Sequence, residues 1–181
     1  MSAAAARALT SSSHFELFGL PSAFSIDLPT LEKAYRDIQS RVHPDRFAHA
    51  GDAERRASLQ WTTRVNEAFQ VLKNPVSRAQ HLLALHGVDV AFETNTAMPQ
   101  QFLMQQMELR EALESAVASK SADQLAKLQQ GLEEDKASLE KQLAQRLDAD
   151  RDYAGAAGLA RELQFLERLE AEIDAAYETI L

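Results

Sequence analysis

The sequence predicts an all-α protein built from an N-terminal helical hairpin with flanking short helices and a C-terminal three-helix bundle. Apolar residues recur at intervals of three and four along most of the chain, and no alternating pattern typical of β-strands persists. This periodicity lapses in the turn-forming stretch GVDVAFETNTAM, which Pro99 follows. We therefore expect a disordered tail at 1–12, a first domain at 13–87, a linker at 88–98 and a second domain at 99–181.

The composition is compatible with two domains of modest size. The 181 residues are 45% apolar, which suffices for a hydrophobic core. A formal charge of -8 argues against general attraction to nucleic acid or to an anionic membrane. The absence of cysteine excludes disulfides and thiolate metal sites and fits a reducing compartment. No apolar run reaches the roughly 18 residues of a membrane span, and the Ala/Ser-rich start favours a disordered tail, with a mitochondrial presequence as the alternative.

Two amphipathic patterns predict the hairpin of the first domain. In DLPTLEKAYRDIQSRV, Asp27 can cap a helix whose apolar face contains Leu31, Tyr35, Ile38 and Val42. Pro75 should end a second helix, whose apolar face contains Trp61, Val65, Ala68, Phe69 and Leu72. The two helices are expected to pack antiparallel. Flanking them are a short apolar lid in HFELFGL and a shorter helix in VSRAQHLLAL, which Gly87 can end in a left-handed cap.

Three longer helices are predicted after Pro99. The first, in QFLMQQMELREALESAV, has on one face Phe102, Leu109, Leu113 and Ala116. The second begins with a capping box of Ser121 and Gln124 and continues at coiled-coil spacing with Leu125, Leu128, Leu132, Leu139, Leu143 and Leu147. The third, at about 152–180, repeats this spacing with Leu159, Leu163, Leu166, Ile173, Tyr177 and Ile180. Three helices with one apolar stripe each can close a bundle.

The stretch SRVHPDRFAH is rich in titratable side chains and lies between the two helices of the predicted hairpin. His43 precedes Pro44, which disfavours helical backbone, so the helix should end near Val42 and leave His43, Pro44 and Asp45 exposed in the loop. A metal site would use His43, Asp45 and His49, but their spacing supplies no ready cluster. Alternatively, Pro44 only stops the helix while Asp45 caps a turn. Three residues alone do not decide between these interpretations.

The sequence on both sides of this loop resembles a known family. LEKAYRDIQSRVHPDRF looks like the second helix and His-Pro-Asp loop of a J-domain, and VNEAFQVLKNPVSRA looks like its third helix. J-domains are co-chaperones that dock on DnaK-class chaperones and stimulate their ATP hydrolysis. The resemblance implies that His43, Pro44 and Asp45 make the stimulating contact and that the basic docking face consists of Lys33, Arg36, Arg41 and Arg46. These cations are clustered in an otherwise acidic protein, and an ordinary solvated helix face is the alternative.

A second apolar face is predicted on the first helix of the C-terminal bundle. At about 100° per residue, its members lie well away from the core stripe: Leu103, Met104 and Met107, with Glu108 and Glu111 beside them. Phe165 lies at a similar angle from the stripe of its own helix. Leucine and methionines rimmed by acids suit an adaptable binding surface. The alternative is a wide helix that buries more than one face.

FLMQQMELREAL and LQFLERL, following LLALHGVDV, resemble the C-terminal domain of the HscB family of J-proteins in bacterial iron–sulfur cluster assembly. That resemblance, which covers the chain from His14 onward, implies a bacterial cytoplasmic co-chaperone, free of metal and cofactor, that presents an IscU-type scaffold to an HscA-type chaperone. The scaffold-binding residues would be Leu103, Met104, Met107, Glu108, Glu111 and Phe165. The chain departs from the family at Ser115, where an acidic residue is common, so that contact is in doubt.

The sequence leaves other functional classes open. One alternative is a J-domain co-chaperone with a different client, for which the interpretation of the first domain would hold and that of the scaffold-binding surface would not. A homodimeric coiled coil would use the leucines of the last two helices, whereas we expect a monomer. An enzyme would have to rely on the His/Asp loop, which lacks a set of nucleophile, base and orienting group, so we expect no catalytic activity.

Overall fold

The computed structural model of the chain describes residues 13–42, 51–88 and 99–180. Their regular secondary structure is helical, which confirms the predicted all-α class. The chain forms two compact units, Met1–Leu85 and His86–Leu181.

Four helices form the first unit: α1 (His14–Leu17), α2 (Leu28–Val42), α3 (Asp52–Lys73) and α4 (Pro75–Leu85). Ser13 caps α1 in a reciprocal pair, since its hydroxyl accepts from the Glu16 amide and the Glu16 carboxylate accepts from the Ser13 amide. Pro75 separates α3 from α4 by occupying the first position of α4, where its missing N–H costs nothing. Gly87, just past α4, has φ of 72°, as the predicted left-handed cap requires.

The hairpin of α2 and α3 is antiparallel, as the sequence predicts. Val42, late in α2, accepts a hydrogen bond through its carbonyl from the hydroxyl of Ser58, early in α3. Tyr35, earlier in α2, stacks on Phe69, later in α3, with ring centroids 4.1 Å apart. The core of the unit contains Phe15, Leu31, Val65, Ala68, Leu72, Leu82 and Leu83. Tyr35 is only half-buried, because its hydroxyl donates to Asn66 at the edge of the hairpin.

Two details of α2 and α3 differ from the sequence prediction. Asp27 does not cap α2 through an amide of the helix; its carboxylate accepts from the Thr30 hydroxyl, and its backbone carbonyl accepts from the Leu31 amide. Ile38 and Trp61 are half-buried and do not belong to the fully buried core. The predicted stripes therefore include side chains that the packing encloses only in part.

Two polar side chains of α4 pack against the rest of the first unit, Arg78 buried and His81 half-buried. Arg78 donates to the Leu72 carbonyl at 2.6 Å and lies over the Phe24 ring at 5.0 Å, so it ties α4 to the end of α3. His81 stacks on His14 at 4.2 Å and accepts from the His14 backbone amide. Burial, and the positive charge that His14 would carry, lower the pKa of His81 to about 4. The folded unit therefore holds His81 neutral in mildly acidic solution.

The second unit consists of α5 (Gln100–Ala118), α6 (Ala122–Ala144), a π-helical turn (Gln145–Asp150) and α7 (Tyr153–Ile180). Ser121 caps α6, because its hydroxyl accepts from the Gln124 amide at 3.3 Å. The predicted capping box is incomplete, since the Ser121 amide donates to the Ala116 carbonyl at 3.0 Å and not to the Gln124 side chain. Arg151 ends the π-helical turn in a left-handed conformation with φ of 55°. This turn was not predicted from the sequence.

The three long helices pack as a bundle. Antiparallel α6 and α7 are joined at the half-buried ion pair of Lys136 and Glu170, 2.5 Å apart, and Gln105 of α5 donates to Asp135 of α6 at 3.0 Å. The bundle core includes Phe102, Leu113, Leu125, Leu132, Leu143, Leu163, Leu166 and Ile173. It also includes residues that the leucine spacing did not predict, namely Ala156, Ala160, Leu169 and Ala176. Small side chains allow α7 to approach its neighbours closely along this stripe.

Candidate partner-binding surfaces

The predicted apolar face of α5 is open to solvent in the second unit. The exposed fractions are 44% for Leu103, 57% for Met104 and 63% for Met107. Phe102 and Leu113, on the opposite face of the same helix, are 6% and 8% exposed. Because residues three and four apart are neighbours on a helix, the three exposed side chains form one patch. We call Leu103, Met104 and Met107 the apolar patch.

Acidic side chains border the apolar patch. Glu108 and Glu111 are exposed and lie one turn from Met104 and Met107, respectively. Ser115 is exposed on the next turn. The patch therefore presents flexible apolar side chains beside negative charge, a combination suited to a partner with an apolar surface and nearby cations.

Phe165 of α7 is held against α5 by two side chains. Its ring meets the edge of Phe102 in a T-shaped contact at 5.6 Å, and the Arg110 guanidinium lies over it at 5.8 Å. Arg110 also pairs with Glu172 of α7 at 3.6 Å. Phe165 is half-buried, and Arg110 is three residues from Met107, so the ring lies beside the helix that carries the apolar patch. The sequence did not indicate Arg110, because the contact joins two helices.

The basic residues predicted on α2 are solvent-exposed. Lys33, Arg36 and Arg41 all lie on the outer surface of the first unit. Arg36 pairs loosely with Glu32 at 3.7 Å, and such an exposed pair contributes little stability. Lys33 and Arg36 share the outward face, whereas Arg41 lies about 80° further round the helix from Lys33. The structure thus brings two of the predicted cations together and places the third to one side.

Several predicted residues lie outside the described part of the chain. These are His43, Pro44, Asp45 and Arg46, together with His49 of the alternative metal site. The described part of α2 extends to Val42, and the end of the helix near this residue stays a prediction. Val42 is buried, and its carbonyl accepts hydrogen bonds from α3.

The described segments contain neither a metal-binding cluster nor a helix suited to span a membrane. Within residues 13–42, 51–88 and 99–180, no three side chains of the metal-binding types cluster closely enough to hold an ion. None of the helices described here combines the length and hydrophobicity that a bilayer span needs.

A cleft of about 200 Å³ lies between the bundle helices, lined by Phe102, Gln105, Asp135, Ser138, Leu139, Gln142, Glu162 and Leu166. Burial raises the pKa of Glu162 in this cleft.

A family model, curated proteins and solved structures that resemble this chain all carry the same family name. A family model described as the HSCB C-terminal oligomerisation domain matches residues 98–174. The co-chaperone protein HscB homolog of Burkholderia thailandensis is 52% identical over 168 residues, which cover 93% of this chain and 95% of that relative. Chaperone HscB from Vibrio cholerae has a TM-score of 0.83 at 36% identity and covers 94% of this chain and 100% of its own. Human co-chaperone HscB has a TM-score of 0.86 at 26% identity, over 91% and 82% of the respective chains.

The helical hairpin of the first unit, the bundle of the second and these relatives define an all-α co-chaperone of the J-domain class. The similarity to the Burkholderia thailandensis and Vibrio cholerae proteins extends over nearly the whole length of both chains and narrows this class to one family. The chain belongs to the HscB co-chaperone family.

Proposed function

We propose that this chain delivers an IscU-type iron–sulfur scaffold to an HscA-type chaperone in the bacterial cytoplasm and raises the ATPase rate of that chaperone. The second unit binds the scaffold, and the first unit acts on the chaperone without hydrolysing ATP itself. The observation that carries the proposal is the apolar patch, whose three large side chains are 44–63% exposed on a helix whose other face is buried. Surface patches of this kind mark sites of protein association.

The scaffold would bind the apolar patch together with Phe165. Methionine and leucine side chains adapt to an apolar partner surface, and Phe165 adds a ring whose position is fixed by Phe102 and Arg110. The neighbouring Glu108 and Glu111 would meet cations on the scaffold and thereby favour one orientation of binding. Membership of the HscB family supports this assignment, because the same segments carry the resemblance.

The chaperone would contact the end of the α2–α3 hairpin. His43, Pro44 and Asp45 supply the stimulating contact, and Lys33, Arg36, Arg41 and Arg46 supply positive charge for an acidic chaperone surface. Exposure of Lys33, Arg36 and Arg41 in the first unit supports this role. Resemblance to J-domains supports the role of the loop.

We expect the protein to act as a monomer without a bound metal or cofactor. A homodimeric coiled coil would need free leucine stripes, but Leu125, Leu132 and Leu143 of α6 are fully buried within one bundle. The matching family model is nevertheless described as an oligomerisation domain. The mass in solution, measured across a range of concentrations, tests this expectation directly.

The central experiment measures the ATPase rate of an HscA-type chaperone with this chain and with the scaffold. His43→Gln should abolish stimulation while leaving helicity and scaffold binding unchanged, because only the loop of the first unit is altered. A His43→Gln variant that stimulates fully would contradict the proposal. A pull-down from native lysate provides the second arm: recovery of a client other than the scaffold would favour a J-domain protein with a different client.

A further inference from the structure

Arg110 of α5 connects two side chains that lie apart on α7. The centre of its guanidinium lies 5.8 Å from the centre of the Phe165 ring, and one of its terminal nitrogens lies 3.6 Å from a carboxylate oxygen of Glu172. Glu172 follows Phe165 by seven residues, or about 10 Å along the helix axis. Seven residues are close to two full turns, so both side chains leave α7 on the same side. One side chain of α5 therefore bridges two turns of α7.

The ion pair of Arg110 is not the one that its own helix offers. Arg110 is the one basic residue of α5, and Glu114 follows it by four residues, the spacing at which ion pairs form within a helix. The guanidinium instead pairs with Glu172 of α7. The side chains of Arg110 and Glu172 are 56% and 46% exposed, so their ion pair contributes little to the stability of the fold. Its main effect is to hold the guanidinium over the Phe165 ring.

The contacts of the Phe165 ring leave it dependent on Arg110 for a fixed orientation. The Phe102 ring lies 5.6 Å away at 86°, and Phe102 is only 6% exposed, so it is fixed in the bundle core. Phe165 itself is half-buried, and a partly exposed ring that packs on one side has other rotamers open to it. Arg110 attracts the face of the ring and occupies the space above it. A planar guanidinium can lie on a ring while it pairs with a carboxylate, which suits arginine better than lysine.

We propose that Arg110, anchored by Glu172, is a positioning residue that holds the Phe165 ring in the orientation that the scaffold binds. This inference rests on the proposed function, in which Phe165 contacts the scaffold. Without Arg110 the ring samples other rotamers in the free chain, and binding must order it again, which lowers the affinity although no contact with the scaffold is lost. Glu172 thereby affects scaffold binding from outside the set of residues proposed to touch the scaffold.

Arg110→Gln tests the inference in the full-length chain. Thermal melting should place the variant within about 4 °C of the wild type, because the contacts that it loses are largely exposed. Calorimetric titration with purified, cluster-free IscU-type scaffold should show an affinity about fivefold weaker, the factor expected for ordering one side chain on binding. In the free chain, the nuclear Overhauser effect between the rings of Phe102 and Phe165 should weaken, because the Phe165 ring no longer keeps one position.

Variants that remove one charge separate the anchor from the net charge of the protein. Glu172→Gln leaves Arg110 in place but removes its anchor, so it should weaken scaffold binding about two- to threefold. Lys127→Gln removes a positive charge from an exposed position of α6, and Glu178→Gln removes a negative charge from an exposed position of α7. Both controls should bind the scaffold like the wild type. A loss in either control equal to that of its counterpart would show a general effect of charge and would overturn the inference.

A double-mutant cycle with Phe165→Leu distinguishes positioning from direct contact. Leucine removes the ring but keeps an apolar side chain, so scaffold binding stays measurable. If Arg110 acts through the ring, Arg110→Gln should cause no further loss of affinity in the Phe165→Leu background. A loss of about fivefold in both backgrounds would mean that Arg110 touches the scaffold itself, and the inference would then be wrong.

The proposed function and this inference fail in different ways. A wild-type chain that does not bind the scaffold refutes both. Normal wild-type binding, together with an unimpaired Arg110→Gln variant or an unchanged Overhauser effect between the two rings in that variant, refutes the inference alone.

Discussion

Replacing Leu103, Met104 and Met107 together by alanine should leave the protein folded and strongly weaken scaffold binding. The three side chains keep roughly half of their surface in water, with exposed fractions of 44%, 57% and 63%. Complete burial of such a side chain contributes about 1.5–3 kcal/mol, so truncation at these sites should cost about 1 kcal/mol each. The triple variant should therefore lose about 2–3 kcal/mol of folding free energy in total.

A core substitution on the same helix provides the control. Leu113 is 8% exposed and packs in the bundle, so Leu113→Ala alone should cost about 2–5 kcal/mol. One buried leucine is thus expected to cost as much as all three patch residues. Thermal melting followed by circular dichroism compares the two variants under the same conditions.

The effect on binding should be larger than the effect on stability. A hot-spot side chain at an interface is worth about 2 kcal/mol or more, and even with incomplete additivity the triple variant should bind the scaffold about 100-fold more weakly. Calorimetric titration measures this loss, and the chaperone ATPase assay without scaffold should remain near the wild-type level. A collapsed melt with residual scaffold binding would refute the reasoning, because it would mean that the apolar patch belongs to the core.

Three further predictions concern the first unit. Lys33→Glu should weaken chaperone binding, and raised salt should weaken binding of the wild-type chain. The control Lys127→Glu, at an exposed position of α6, should have no effect, and salt-independent binding would contradict a role for the basic face. The free energy of unfolding should fall as the pH drops from about 6.5 toward 4, because His81 takes up a proton more readily in the unfolded chain than in the folded unit. His81→Gln should reduce this pH dependence by about 1–2 kcal/mol, a figure that allows for the partial exposure of His81. Arg78→Ala should lower the free energy of unfolding, measured with denaturant, by about 3 kcal/mol. Arg56→Ala, at an exposed position, should lower it hardly at all, and equal losses in the two variants would show that the contacts of Arg78 with Leu72 and Phe24 contribute little.

Helix boundaries were predictable where they depend on the local backbone. Lys73 ends α3 because the following Asn74 precedes Pro75 and adopts extended backbone, and Gly87 follows α4 because glycine adopts positive φ without strain. The outward position of Met104 and Met107 also followed from helical periodicity, since about 100° per residue places them opposite the core stripe. Such features depend on neighbouring residues in the sequence and need no knowledge of how helices pack.

Contacts between helices could not be predicted in this way. Ser58 and Thr62 lie on the same face as Val65, which indicates enclosed hydroxyls, but only the packing of α3 on α2 identifies the Val42 carbonyl as the acceptor. The contact of Arg110 with Phe165 likewise joins residues 55 positions apart, and nothing local in either segment specifies it.

The sequence by itself determined the helical class, the end of α3 before Pro75 and the face of α5 that is exposed, because backbone sterics and helical periodicity act within a few residues. Only the tertiary structure decided which polar groups meet across helices, as with Ser58 at the Val42 carbonyl and Arg110 over Phe165. The physical reason is that a hydrogen bond or a cation–ring contact depends on distances of a few ångströms between helices. Those distances are set by the packing of all the core side chains together.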